Sequence, residues 1–111
     1  RCIQADAMRP IKEAVHSDVA ASRAVYDWVK ALCVSLGAAE ADMVPFEKYA
    51  AAAQGLAKPS SAARALAAGA KNIERVDLLV KRIAAQKGLN NATVDQTVTL
   101  VEGWLERNRK A

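Results

Sequence analysis

The sequence predicts an all-α fold, and three observations carry that prediction. Apolar residues recur at spacings of three and four along most of the chain, as one face of a helix requires. No stretch keeps the two-residue alternation of a half-buried strand, so no sheet is expected. Alanine is abundant while aromatics make up only 5% of the 111 residues, a composition that favours helices and lets them approach closely. The expected architecture is a single domain over residues 1–111, a compact bundle of about five or six helices with one modest core.

The first segment, Cys2 to about Ala14, carries Ile3, Ala7, Met8 and Ile11 and is broken or kinked at Pro10. Ser17 is a good N-cap with Asp18 in the first turn behind it. Val25, Trp28, Val29, Leu32, Cys33 and Leu36 then mark one face, and Gly37 closes the helix. Residues 38–44 read as a connector with room for one helical turn. Pro45 suits the first position of a short helix to about Gln54, where Gly55 stops it. Lys58-Pro59 is extended, and Ser60 or Ser61 caps a helix that runs to about Ala68 before Gly69. Another helix starts near Asn72, turns Ile73, Val76, Leu79, Val80 and Ile83 inward, and ends at Gly88. The final helix has Val94, Val98, Val101 and Leu105 as one seam, flanked by Leu100 and Trp104. Thr93 and Gln96 have capping-box spacing, and Asn91 is an alternative cap.

Charge and cysteine usage narrow the function classes. A net charge of +4 is mild, and the lysines and arginines are scattered except at Arg107-Asn108-Arg109-Lys110. That cluster reads as a solvated C-terminus, not as a nucleic-acid footprint. Cys2 and Cys33 are too few and too far apart for a disulfide scaffold or a zinc site, and His16 is the only histidine. The cysteines read as small buried hydrophobes in a reducing, cytoplasmic setting, with no metal expected. His16 reads as structural, and Trp28 and Trp104 as core or interface. No apolar run approaches the about 18 residues of a membrane helix, and no signal-peptide pattern opens the chain. Glycine-rich phosphate loops, H-E-x-x-H and the G-x-S-x-G elbow are all missing from the sequence.

The densest chemistry lies between Lys58 and Asp77. A serine pair, Ser60-Ser61, stands at one expected helix start, and an acidic residue, Glu74, at the next. Two helix N-termini with small polar groups are a natural pocket for a small polar anion. Each residue also has a plain reading, the serines as a cap and Glu74 as a partner of the helix dipole. Arg75 and Asp77 read as surface residues, solvated or paired.

Together the serine pair, the short helix, Gly69, Glu74, the helix to Lys87, Gly88-Leu89 and the helix from Val94 to Leu105 resemble the C-terminal helical domain of the ketopantoate reductase (2-dehydropantoate 2-reductase) family. The likeness spans Ile3 to Arg107 and implies a fold like the C-terminal domains of ketopantoate reductase and 6-phosphogluconate dehydrogenase-type enzymes. The resemblance implies NADPH-dependent reduction of a 2-oxo acid such as ketopantoate, a step of pantothenate biosynthesis. It puts the substrate-binding serine at Ser61, with Ser60 beside it. The acidic substrate-binding position falls on Glu74, or on Asn72 when counted back from Gly88. The family's catalytic lysine would precede Arg1, and Lys12, beyond the proline, does not replace it. No catalytic residue is therefore expected in this chain, and alone it should not turn over NADPH. NADP(H) would be held mainly by an upstream Rossmann domain, with a homodimer as a further expected association. The rival from another class is a stand-alone, non-catalytic helical interaction module.

Overall fold

Chemistry at the helix ends decides where each element of this chain begins. The computed structural model describes residues 2–111; Arg1, where the expectation of a longer chain starts, lies outside them. The helices are α1 (Ile11–His16), α2 (Val19–Ser35), α3 (Phe46–Ala53), α4 (Ser61–Ala67), α5 (Val76–Gln86) and α6 (Ala92–Lys110), with a 3-10 turn at Glu40–Asp42. No strand occurs among the described residues; a single antiparallel bridge joins Ile3 to Met8.

That bridge replaces the helix expected before Pro10. A proline disfavours the α region in the residue before it, so no helix can run through Arg9 into Pro10. The segment folds into a tight hairpin instead, with the Gln4 amide on the Ala7 carbonyl and the Arg9 amide on the Cys2 carbonyl, both at 3.0 Å. The hairpin turns Ile3 and Met8 onto the core together. Pro10 precedes α1, whose first free amides are met from outside the helix. Ile11 donates to the Lys58 carbonyl and Lys12 to the Leu56 carbonyl, each at 3.0 Å, which satisfies groups a helix start leaves unpaired.

Three boundaries differ from expectation. The cap of α2 is Asp18, whose carboxylate accepts from the Ala21 amide at 3.0 Å, while Ser17 still has α geometry and ends α1. Pro45 stands just outside α3 as its cap. The third shift matters most: α5 starts at Val76 and not near Asn72, and the residues before it are tethered outside any helix. Arg109 Nε donates to the Lys71 carbonyl at 2.9 Å and its Nη2 to Asn72 Oδ1 at 3.3 Å. Ile73 packs into the core from this stretch. The change of phase leaves Val76 63% and Leu79 56% exposed, against the inward face expected, and Leu78 is half-buried instead.

The ends were easier to read. Gly69 has φ +97, a left-handed conformation that only glycine adopts freely. It lets the Ala70 amide return to the Ala65 carbonyl at 3.0 Å and the Gly69 amide to Leu66 at 3.1 Å, which closes α4 with a Schellman motif. Gly37 and Gly88 end α2 and α5 in the same way. Asn91 caps α6 by accepting from the Thr93 and Val94 amides at 2.9 and 3.1 Å.

The helices form two groups, α1 with α2 and α3, and α6 with α4 and α5. The molecule measures 44 × 35 × 20 Å, so its thin dimension is about two helix diameters. In so flat a bundle the interior is narrow. Its centre is Leu66, Val101 and Leu105, with Ile3, Met8, Ile73 and Trp104 around them. A smaller cluster of Cys2, Ala14 and Ala63 adjoins it through Ile3 and Met8. The α6 seam of Val94, Val98, Val101 and Leu105 is buried throughout. Along α2 only Leu32 is buried; Val25 and Trp28 are half-buried and Leu36 is 55% exposed.

Candidate functional site

The α4 start and the extended stretch before α5 face one another across a cleft of about 680 Å³, within the usual size of a small-molecule site. Ser60, Ser61, Asn72 and Glu74 all line it. The floor is apolar, made by Ile3, Ala62, Ala65, Ile73 and Val101, with Cys2 between them.

Each polar side chain arrives by a different route. Ser60 is the N-cap of α4, its hydroxyl oxygen accepting from the Ala63 amide at 3.3 Å. Ser61 is the first helical residue, and its hydroxyl has no partner among the described residues. Asn72 is steadied through Oδ1 by Arg109. Glu74 is exposed and makes no hydrogen bond or ion pair with any described residue. It does not open a helix, so the dipole reading does not apply to it. The acidic residue in the first turn of α5 is Asp77, which also lines the cleft.

Asp77 is neutralised. Arg75 Nε and Nη2 reach its two carboxylate oxygens at 3.1 Å each, and Arg75 Nη1 reaches Glu102 at 2.9 Å. Charge-assisted forks of this kind are the strong ones among protein hydrogen bonds. The Asp77 carboxylate holds the Arg75 guanidinium above its ordinary pKa, with Glu102 assisting, so the arginine is charged at every accessible pH. The surface pairing expected for these two residues is thus present, at the rim of the cleft.

No lysine, arginine or histidine lines this cleft among the described residues. Glu74 is its one carboxylate without a partner cation. Of the two helix N-termini expected around the site, that of α4 stands at Ser60 and Ser61, while Asn72 and Glu74 precede α5 and open no helix. A group that donates hydrogen bonds suits Glu74, while Ser61 can donate or accept. The dinucleotide NADP(H) does not fit these residues: among the described residues no cation lines the cleft for its phosphates, and no strand, glycine loop and helix are arranged to cradle them.

The basic C-terminus is exposed at Arg107, Arg109 and Lys110, as expected, but it is also tethered. Asn108 Nδ2 donates to the Leu66 and Ala70 carbonyls at 3.0 and 2.8 Å, so α6 closes the end of α4. Arg107 donates to the Ala5 carbonyl at 2.7 Å and stacks over the Trp104 ring at 4.2 Å. Trp104 Nε1 in turn donates to the Gln4 carbonyl at 2.6 Å. Together they pin both walls of the cleft, the hairpin and the α4–α5 connection. The sequence signal was available: Asn108 is the next step of the seam 94, 98, 101, 105, a polar residue on an apolar face.

The remaining candidates are structural. His16 Nε2 lies 2.7 Å from the Ala50 carbonyl and joins α1 to α3. Cys2 is buried, Cys33 half-buried, and both are free thiols. No three His, Cys, Asp or Glu side chains gather as a metal ion would need among the described residues. No helix among them is long and apolar enough to cross a membrane. No protein-family description, curated protein or solved structure matches the chain, so its function has to be argued from its own residues.

Proposed function

We propose that this chain is the helical substrate-holding domain of an oxidoreductase of the ketopantoate reductase type. Ser61, flanked by Ser60 and Asn72, and Glu74 would bind a small 2-oxo acid and its 2-hydroxy product. One observation supports the reading above all: the four side chains that the family resemblance singles out line one cleft. In this reading Glu74 accepts from a substrate hydroxyl, and the Ser61 hydroxyl donates to the carboxylate or keto oxygen. The cleft holds no lysine, so a proton for the developing alkoxide must come from elsewhere. Hydride comes from NADP(H), bound by a separate Rossmann domain. The isolated chain should accordingly bind substrate and product without oxidising NADPH.

The exposure of Val76 and Leu79 beside the cleft favours a second reading, a helical module covered by a partner protein. The coding sequence upstream of Arg1 separates the two. The reductase reading expects a Rossmann domain there, and NADPH oxidation by the longer protein with a 2-oxo acid. Ser61→Ala and Glu74→Gln should each lower kcat/KM about ten- to a hundredfold, the worth of a hydrogen bond to a charged group, while the melting temperature holds. A reading frame that opens near Arg1, or full activity in both variants, would favour the interaction module.

A further inference from the structure

The cleft does not end at Glu74. A second hollow of about 360 Å³ lies between α2, α5 and α6, and Cys2, Val76, Asp77 and Thr97 line both. The two spaces therefore adjoin across these four residues. Val15, Val25, Val29, Val80 and Val94 give the second arm its walls.

Of its polar side chains Ser22, Thr97 and Asp77 are already engaged, while the Thr93 hydroxyl has no hydrogen-bond partner among the described residues. Ser22 Oγ donates to the Val15 carbonyl at 2.8 Å and Thr97 Oγ1 to the Thr93 carbonyl at 2.9 Å. The Asp77 carboxylate is held by Arg75. What this arm offers a guest is mainly aliphatic surface, with the Thr93 hydroxyl at one point, whereas the first arm offers Ser61 and Glu74, which have no partners among the described residues. We infer that the ligand is an amphiphile, whose hydroxylated head lies against Ser61 and Glu74 and whose branched aliphatic part fills the valine-lined arm. The head half of this inference rests on the reductase reading; the tail half rests on the valine arm alone.

Methyl-resolved NMR of this chain tests both halves. The probes are lactate, hydroxyisocaproate and isoamyl alcohol, which separate head from tail. Hydroxyisocaproate and isoamyl alcohol should shift the methyl signals of Val25, Val29, Val80 and Val94. Affinity among 2-hydroxy acids should rise about fourfold per added methylene, the usual gain on burying one. Val80→Trp should fill the arm and abolish that dependence while lactate binds as before; Val29→Leu, a smaller change, should weaken it in the same direction.

Lactate binding without dependence on chain length would overturn the inference and leave the reductase reading standing. Isoamyl alcohol in the arm with no binding of any 2-hydroxy acid would support the tail and remove the reductase reading. No shift of the valine methyls with either tail-bearing probe would overturn it. Shifts that follow protein concentration alone would do the same, and would assign the arm to a second copy of the chain.

Discussion

The two halves of this molecule are built from similar amounts of helix and bury it differently. In the C-terminal half, α6 lies against both α4 and α5, and its four seam residues are all buried. In the N-terminal half α2 is nearly as long, yet its neighbours are the short α1 and α3, and only Leu32 is buried. That half is held from outside. Tyr26 packs edge-on against Phe46 at 5.6 Å, Arg23 lies 4.6 Å over the same ring, and ion pairs join Arg23 to Glu47 and Lys30 to Glu40. An apolar stripe thus tells which face of a helix can be buried, and the number of neighbours tells how much of it is. The site follows the same division, since the first arm of the cleft belongs almost wholly to the half with the larger core.

The largest effects should come from the centre of that core. Leu66 is fully buried and Leu105 is 2% exposed, so Leu66→Ala or Leu105→Ala should cost about 2–5 kcal/mol in urea unfolding. Leu36→Ala on α2 should cost less than about 0.5 kcal/mol, the size of a surface change. Comparable losses at Leu36 and Leu105 would erase the contrast between the halves.

Asn108→Ala comes next. It leaves the Leu66 and Ala70 carbonyls without their donor, and the loss of partly buried hydrogen bonds should lower stability by about 1–3 kcal/mol. The same variant should speed amide exchange in residues 66–73, which a generally weakened bundle would not single out. Asn91→Ala should cost about 1 kcal/mol as a lost cap of α6, and Ser17→Ala far less, since Asp18 caps α2.

The smallest effect is on pH dependence, and it belongs to the N-terminal half. The Arg23 guanidinium hydrogen-bonded to Glu47 holds that carboxyl below its ordinary pKa. A carboxyl whose pKa is lowered on folding adds stability above its unfolded value and loses it as pH falls through its folded one. Glu47→Gln should therefore flatten the acid limb of the stability curve slightly, below the usual glutamate range. Both partners are exposed, so salt should weaken the contribution further. An acid limb unchanged by Glu47→Gln would show that the pair contributes nothing measurable.

Much of this architecture was legible in the sequence for local reasons. Gly37, Gly69 and Gly88 mark helix ends through backbone freedom, and the seam of α6 follows from spacing alone. Ser60, Asn91 and the stop at Gly55 are likewise short-range chemistry. What escaped was long-range. The hairpin at Ile3–Met8 needs the Gln4 and Ala5 carbonyls to be met by Trp104 and Arg107, about a hundred residues away. The late start of α5 depends on Arg109 holding Lys71 and Asn72. The family resemblance brought Ser60, Ser61, Asn72 and Glu74 under suspicion, but their shared cleft depends on these tethers, and its lack of a cation among the described residues could not be read from composition.

The ligand site proposed at Ser61 and Glu74 lies in the C-terminal half. An amide-resolved NMR titration of the chain with pantoate, the 2-hydroxy acid that the reductase reading calls for, tests it most directly. The account predicts saturable shifts confined to residues 60–65, 72–77 and 97–101, weakened about tenfold or more in affinity by Glu74→Gln. Absence of saturable shifts there, or shifts gathered on α2 and α3, would contradict it.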